Sequence, residues 1–504
     1  MKKYFMGIDN GGSMSKVVIF DAVGAEIASS SLKLKMITTQ AGYSERDMDE
    51  LWQVNCKLIR ETIVKAGITA GEITGIACTG HGKGLYLWGK DDKPCCNGII
   101  STDSRAWMYP EKWNLDGTAD RVFEKTYQKI LACQPVSLLC WLKDHKPEII
   151  PNIKWIFAVK DYIRFKITGL AFAELTDYSG SNLLNLKDGK FDRSLMAEFG
   201  LEDLYEALPP LKNSTDFCGG VSKRASEETG LKEGTPLAGG MFDIDACGIA
   251  MGIVNEDYVC VIGGTWGVNQ YISRQPVVNK TVMLNSLYCI PGYYLIEECS
   301  PTSASNYDWF LDMFLAEEKA KANELKIDPY RYCDELAATV APDEQNIIFL
   351  PYIFGSNYNP QAKASLVGVD NHHTRSHIIR AVLEGIVFCH MIHLEKLVAN
   401  RAKTDAIRLG GGAANSLIWA QIFADVIGLP VEIIEIKEIG TLGCAMAAAV
   451  AAGVYQDLPE AAQNMVKVKC RIEPIPANIP VYKKKLALYK KVSAALEAVW
   501  TDFN

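Results

Sequence analysis

The chain has 504 residues, 48% of them hydrophobic, which is enough for two domains with a core each. Its formal charge of −8 is carried without a long run of one sign, which excludes a basic nucleic-acid surface and polybasic attachment to an anionic membrane, and leaves small molecules as the expected partners. Fifteen cysteines, an odd number with no Cys-x-x-Cys pair and no leading secretory segment, are expected as reduced thiols in a cytoplasm.

Residues 4–8 and 17–20 are short apolar runs that read as strands, and Asp9-Asn10-Gly11-Gly12-Ser13 between them reads as a tight turn. Glycines there let backbone N–H groups face an anion. A carboxylate beside such a nest is explained by a bridging cation, and Mg²⁺ on nucleotide phosphates supplies one; an ordinary hairpin needing Asn-Gly remains the alternative. Residues 26–34 continue as a third strand. Asp47 caps a helix whose Leu51, Val54, Leu58, Ile59 and Ile63 share a face before Gly67. Residues 73–78 form the next strand, and the loop Thr79-Gly80-His81-Gly82-Lys83-Gly84 follows at its end, where open α/β sheets place ligand loops.

Past Gly239-Gly240 the pattern repeats: a strand at 258–262, the turn Gly263-Gly264-Thr265-Trp266-Gly267, then a strand at 269–272. The same hairpin opening each half suggests duplicated domains facing a common cleft, with the boundary near residues 250–257. Residues 374–400 read as a long buried helix carrying His377, His390 and His393. They are expected as satisfied helix histidines rather than as transition-metal ligands. Arg408 to Ser416 ends a strand and opens a helix at 417–427; its glycine triplet would let a flat heterocycle approach, or let the helix pack closely on a sheet.

These residues resemble the FGGY family of carbohydrate kinases over nearly the whole chain. Ala364-Ser365-Leu366-Val367-Gly368-Val369 followed by His377-Ile378-Ile379-Arg380-Ala381-Val382-Leu383-Glu384-Gly385 fits the family's C-terminal signature. The Asp9 hairpin, Gly239-Gly240-x-x-Asp243, the turn at 264 and the glycine triplet with Trp419 and Asp425 occur in the family's order. Trp266 and Leu138 depart from its usual residues and bear on the substrate subclass. Within the family, segments such as Glu45-Arg46-Asp47-Met48, Pro135-Val136-Ser137 and Ser300-Pro301-Thr302-Ser303 are most similar to the L-xylulose kinases.

The resemblance implies an α/β fold of two actin-like (ribonuclease H-like) domains around a central cleft, residues 1–253 and 254–504, using ATP and Mg²⁺ to phosphorylate a ketopentose. Other ketoses or polyols, an actin-like ATPase and a sugar sensor are the alternatives. Asp243 matches the family's catalytic base; its other reading is a helix N-cap, and Asp245 is its competitor. Asp9 would hold the metal, Gly11, Gly12, Ser13, Gly264 and Thr265 the phosphates, and Gly411, Gly412 and Asn415 the adenosine. His81, Lys83, Asp103 and Arg105 would read sugar hydroxyls, with an Asp103–Arg105 ion pair bracing a loop as the other reading. The expected partners are the sugar and ATP, with no nucleic acid and no membrane, and a homodimer is the candidate assembly.

Overall fold

The computed structural model describes residues 2–264, 266–356, 359, 361–401, 403–436 and 438–503. They cluster into two compact units. One comprises Met1–Val254, Ile272–Ile296 and Ile436–Val466; the other comprises Asn255–Tyr271, Glu297–Glu435 and Lys467–Asn504.

The first unit is built on a six-stranded mixed sheet. Strand Tyr4–Asn10 pairs antiparallel with Met14–Asp21, in the register Asp9 to Lys16 and Asn10 to Ser15, and parallel with Ile73–Gly80 on its other side. Phe5, Met6 and Ile8 on one strand and Val17 to Phe20 on the next are fully buried, which is why both sequences are near-continuous apolar runs rather than alternating ones. Asp47 caps the helix Met48–Ala66 by accepting the Glu50 N–H at 2.8 Å, and Gly67 closes it in the left-handed conformation that glycine adopts without a steric penalty.

The helix Ile439–Ala451, far along the chain, joins this unit because glycines open the way for it. A Cβ on Gly7 would stand 2.2 Å from Thr441 O, and one on Gly75 2.8 Å from Ala448 O. Gly443 makes the matching opening for the short helix Asp243–Ala250, where a Cβ would lie 2.3 Å from Ala246 O. Any side chain at these three sites would push the helices off their seats.

The second unit repeats the scheme. Strand Tyr258–Gly263 pairs antiparallel with Gly267–Ser273 and parallel with Ala406–Gly411, which continues to Val431–Ile434 and Val468–Ile472. Helix Arg375–Val398 is long and apolar enough to cross a membrane, but it is buried over most of its length as the core helix of this unit. Residues 379–385 of this helix are buried in the core. Gly385 makes room for Phe349 O, 2.2 Å from where its Cβ would be, and Arg380 pairs with Glu384 at 2.9 Å, with Lys485 and Tyr482 closing the network. None of the fifteen cysteines forms a disulfide among the described residues.

Candidate active site

In the first unit the glycine turn projects from a fixed base. The Asn10 and Asn55 carboxamides exchange hydrogen bonds at 3.2 and 2.9 Å, tying the turn to the helix Met48–Ala66, and Ser15 adds its hydroxyl to Asn10 Oδ1 at 2.6 Å. Arg46, buried, donates to Gly11 O from both terminal nitrogens at 3.2 Å and to Gly12 O at 2.6 Å. Arg46 holds these carbonyls and the Gly11 N–H is spent on Met14 O at 3.0 Å, which leaves the N–H groups of Gly12 and Ser13 to face an anion. A Cβ on Gly12 would meet nothing within 4 Å, and Ser13 is exposed.

Asp9, at the base of this turn, has a buried Oδ1 with no hydrogen-bond partner among the described residues. Burial pushes its carboxyl up to about 6, against the pull of Lys16, while Glu438 adds to the rise. Lys16 is committed to Glu438 at 2.8 Å. An orphaned carboxylate oxygen beside an anion turn fits a divalent cation.

The strand Ile73–Gly80 carries the remaining groups of this unit. Past its end, His81 donates its N–H to Asn10 O at 3.0 Å, and its ring contacts the Tyr86 hydroxyl at 3.0 Å; burial, with the Arg46 charge, pushes its pKa down to about 3, so the imidazole is neutral. Lys83 takes a positive φ of 64° and shares a recess with Asp177, Tyr178 and Ser181. Alongside, Gly240 sits at φ 76° with Cys78 O only 2.0 Å from where a Cβ would stand, Thr79 Oγ1 donates to Met241 O at 2.7 Å, and Phe242 N donates to Thr176 Oγ1 at 2.9 Å. This clamped loop delivers Asp243 as the first residue of its helix. The N-cap position is Phe242, so the alternative reading of Asp243 as the cap is corrected by one residue: its backbone is already helical. Asp243 is half-buried, whereas Asp245 is fully buried and accepts the Cys289 N–H at 2.8 Å.

Asp103 and Arg105 are brought together, as a buried pair. Arg105 Nε lies 2.9 and 3.0 Å from the two Asp103 oxygens, its Nη2 reaches Asp103 and Glu45 at 2.8 Å, and its guanidinium lies 4.1 Å from the Tyr43 ring centroid. Asp103 also accepts the Ser44 N–H at 2.7 Å. Both side chains are engaged in bracing the loop.

In the second unit, Gly411 takes φ 75° with Gly263 O 2.7 Å from its would-be Cβ, which sets the glycine triplet directly against the second turn. Gly412 and Asn415 line a cavity of about 910 Å³ with Tyr307, Asp334, Ser416 and Trp419. The Tyr307 and Trp419 rings meet edge to face at 5.7 Å, forming an apolar wall, and Ser416 caps the helix Leu417–Ile427 through the Trp419 N–H. Burial pushes the Asp334 carboxyl up to about 6. Gly264 is described at the tip of the turn; Thr265 lies outside the described residues. Sequence reasoning missed Arg46, Asn55, Asp177 and Asp334. A polar Asn55 among the helix's buried positions was the one local signal.

Family models match along most of the chain. The N-terminal domain of the FGGY family of carbohydrate kinases matches residues 4–249, and the C-terminal domain matches residues 259–452. The chain belongs to this family. The L-xylulose/3-keto-L-gulonate kinase of Escherichia coli K12 is 34% identical to this FGGY kinase over 498 residues, 99% of this chain and 98% of that protein. Among solved structures, a gluconate kinase and a ligand-bound xylulose kinase, both from Lactobacillus acidophilus, each match with a TM-score of 0.90 at 25% identity, covering 100% of both chains. This FGGY kinase is a sugar kinase that uses ATP, on the two-domain actin-like α/β fold of its relatives. Two sugar names at one score mean that overall shape does not select the substrate.

Proposed function

We propose that this kinase phosphorylates a ketopentose, L-xylulose, with MgATP as donor. The observation that carries the reading is the near-complete alignment at 34% identity with a protein named for L-xylulose and 3-keto-L-gulonate. In the proposed reaction the sugar hydroxyl oxygen bonds to the γ-phosphorus as the bond to the ADP oxygen breaks, and the hydroxyl proton passes to an Asp243 carboxylate oxygen. The half-buried setting of Asp243 on a clamped loop suits a base that must meet substrate; the fully buried Asp245, accepting a backbone N–H, suits a structural role.

Asp9 would hold Mg²⁺ through water, and the ion would offset charge on the phosphate oxygens. Backbone N–H groups of Gly12 and Ser13 would hold one part of the phosphate chain, with Gly11, whose N–H is given to Met14 O, shaping the turn rather than donating as the sequence suggested; those of Gly264 and Thr265 would hold another part. Gly411, Gly412 and Asn415 would line the adenosine site, with the Tyr307–Trp419 wall against the base. His81, neutral, and Lys83 would read sugar hydroxyls, and the Asp103–Arg105 pair would brace the rim of that site.

A screen of sugar-dependent ADP release tests the reading. L-Xylulose is expected to give a kcat/KM at least about tenfold above D-xylulose, L-ribulose and glycerol, because a wrong hydroxyl leaves a buried partner unpaired. Glycerol or D-xylulose as the best substrate would overturn the subclass, and ADP release independent of sugar would overturn the kinase mechanism. A sugar acid related to 3-keto-L-gulonate is a second reading, favoured by the second substrate in that relative's name, and 3-keto-L-gulonate added to the screen separates it.

A further inference from the structure

His390, buried on the helix Arg375–Val398, packs directly against the second glycine hairpin. Gly267 opens the outgoing strand of that hairpin, and a Cβ there would stand 2.9 Å from His390 Cε1 and 3.3 Å from Ser303 Cβ. Both ring nitrogens are engaged: Nδ1 lies 2.8 Å from Asn269 Oδ1, on the outgoing strand, and Nε2 lies 2.8 Å from Ser303 Oγ. Asn269 turns its Nδ2 toward Glu298 O, so its Oδ1 is the acceptor facing the ring. The proton therefore sits on His390 Nδ1, and Nε2 accepts the Ser303 hydroxyl. Burial, helped by neighbouring His393, pushes the imidazole pKa down to about 3 and keeps this neutral tautomer.

Ser303 is fully buried, and the next residue, Ala304, donates its N–H to Gly264 O at 2.9 Å. Ala304 also lines the 910 Å³ cavity and lies 3.7 Å from where a Cβ on Gly412 would be. One imidazole thus fastens the strand that leaves the turn to the segment that hydrogen-bonds the turn, and that segment forms part of the cavity wall.

We propose that His390 is a positioning residue for nucleotide binding: by holding Asn269 and Ser303 together it fixes the Gly264 turn against Ala304 and sets the spacing between the phosphate turn and the adenosine cavity. The inference rests on the reading of that turn as a phosphate site. A merely structural histidine would affect all ligands alike; a spacer between two subsites affects the ligand that spans both.

The test is calorimetric titration of the whole chain with ADP and, separately, adenosine. His390→Phe keeps a ring in the space and removes both hydrogen bonds. It is expected to weaken ADP about tenfold while adenosine and sugar affinities change less than about twofold. His390→Gln, which can still donate and accept through one side chain, is expected to recover at least half of that loss on a logarithmic scale. Should His390→Phe fail to fold, Ser303→Ala removes the same link and is expected to weaken ADP selectively in the same way. Equal losses for ADP and adenosine, or no loss for ADP, would overturn the inference. Gly264→Val separates it from the underlying reading: a Cβ there keeps ordinary van der Waals distances, 3.7 Å to Trp266 O and 3.8 Å to Ile262 Cγ2. If that variant binds ADP normally, the turn is not a phosphate site and both readings fall. If it loses ADP while His390→Phe does not, only the role of His390 falls.

Discussion

The Lys83 ammonium lies 5.2 Å from the centroid of the Phe242 ring, the residue immediately before Asp243. The same ring covers Gly82, where a Cβ would stand 2.0 Å from Phe242 Cε2. His81, two residues before Lys83, donates its N–H to Asn10 O in the first glycine hairpin. The loop after the strand Ile73–Gly80 is therefore packed on the start of the Asp243 helix and hydrogen-bonded to the Asp9 hairpin, so sugar contacts made by the loop would register at both.

Lys83→Ala keeps the loop's packing on Phe242 through Gly82 and removes the ammonium. The KM for L-xylulose is expected to rise about tenfold with kcat falling less than about threefold, and discrimination against D-xylulose should narrow. Steady-state kinetics on both ketoses check this. Unchanged KM values would reduce Lys83 to a cover for the Phe242 ring.

Asp243→Asn should lower kcat by about a hundredfold or more and leave nucleotide affinity nearly intact, because the hydroxyl loses its proton acceptor while the turns are untouched. Asp245→Ala should act on stability instead: the Cys289 N–H, buried, loses its partner, at a cost of about 1–3 kcal/mol visible in the thermal midpoint. A catalytic loss confined to Asp245→Ala would reverse the two assignments.

Locally determined features were legible in the sequence. The two hairpins, the Asp47 cap, the helix opening at Leu417 and the long helix each follow from a pattern of a few residues, and the observed strand Tyr4–Asn10 merely extends past the apolar run because Asn10 and Ser15 remain in the ladder. Tertiary partners were not legible. Asn55 meets Asn10 across 45 positions, Arg46 reaches Gly11 across 35, and nothing near Gly7 or Gly75 announces that Thr441 and Ala448 will pack on them. Asp103 and Arg105 carried two readings in the sequence, and only their mutual geometry, with Glu45 and Tyr43 on the same guanidinium, shows the bracing one.

Asp9 makes the pH dependence testable. Its carboxyl is pushed up to about 6 from the ordinary 3.8, so the folded chain holds this proton more tightly than the unfolded chain. The resulting stabilisation is fully present below about pH 4 and is lost as pH rises through 6, a change of about 3 kcal/mol from two pKa units in the absence of a cation. Asp9→Asn should therefore raise the thermal midpoint at pH 7.5 and give little gain at pH 4, with Lys16 and Glu438 left facing the amide. Mg²⁺ with nucleotide should stabilise the parent chain more than the variant, and the KM for MgATP should rise below pH 6 as protons compete for the carboxylate. A variant less stable than the parent at pH 7.5 would show that the carboxylate is already satisfied.

Arg46 carries the last prediction. Its guanidinium donates to two successive carbonyls, Gly11 O and Gly12 O, from a site only 3% exposed, and a planar fork is what reaches both at once. Arg46→Lys keeps the charge but offers a single compact donor group, so one of the two carbonyls should lose its partner and the turn should lose its fixed orientation. The KM for ATP is expected to rise about tenfold while L-xylulose affinity, measured by calorimetry without nucleotide, stays within about twofold. Arg46→Met should fold less stably and show a second effect: with the cation gone, one of the causes holding His81 low is removed, so the His81 pKa should move up from about 3, read by NMR titration of its ring. A lysine variant with normal ATP kinetics and a raised sugar KM would move Arg46 from the phosphate turn to the sugar site, and would show that the Gly11–Gly12 turn keeps its shape without the fork.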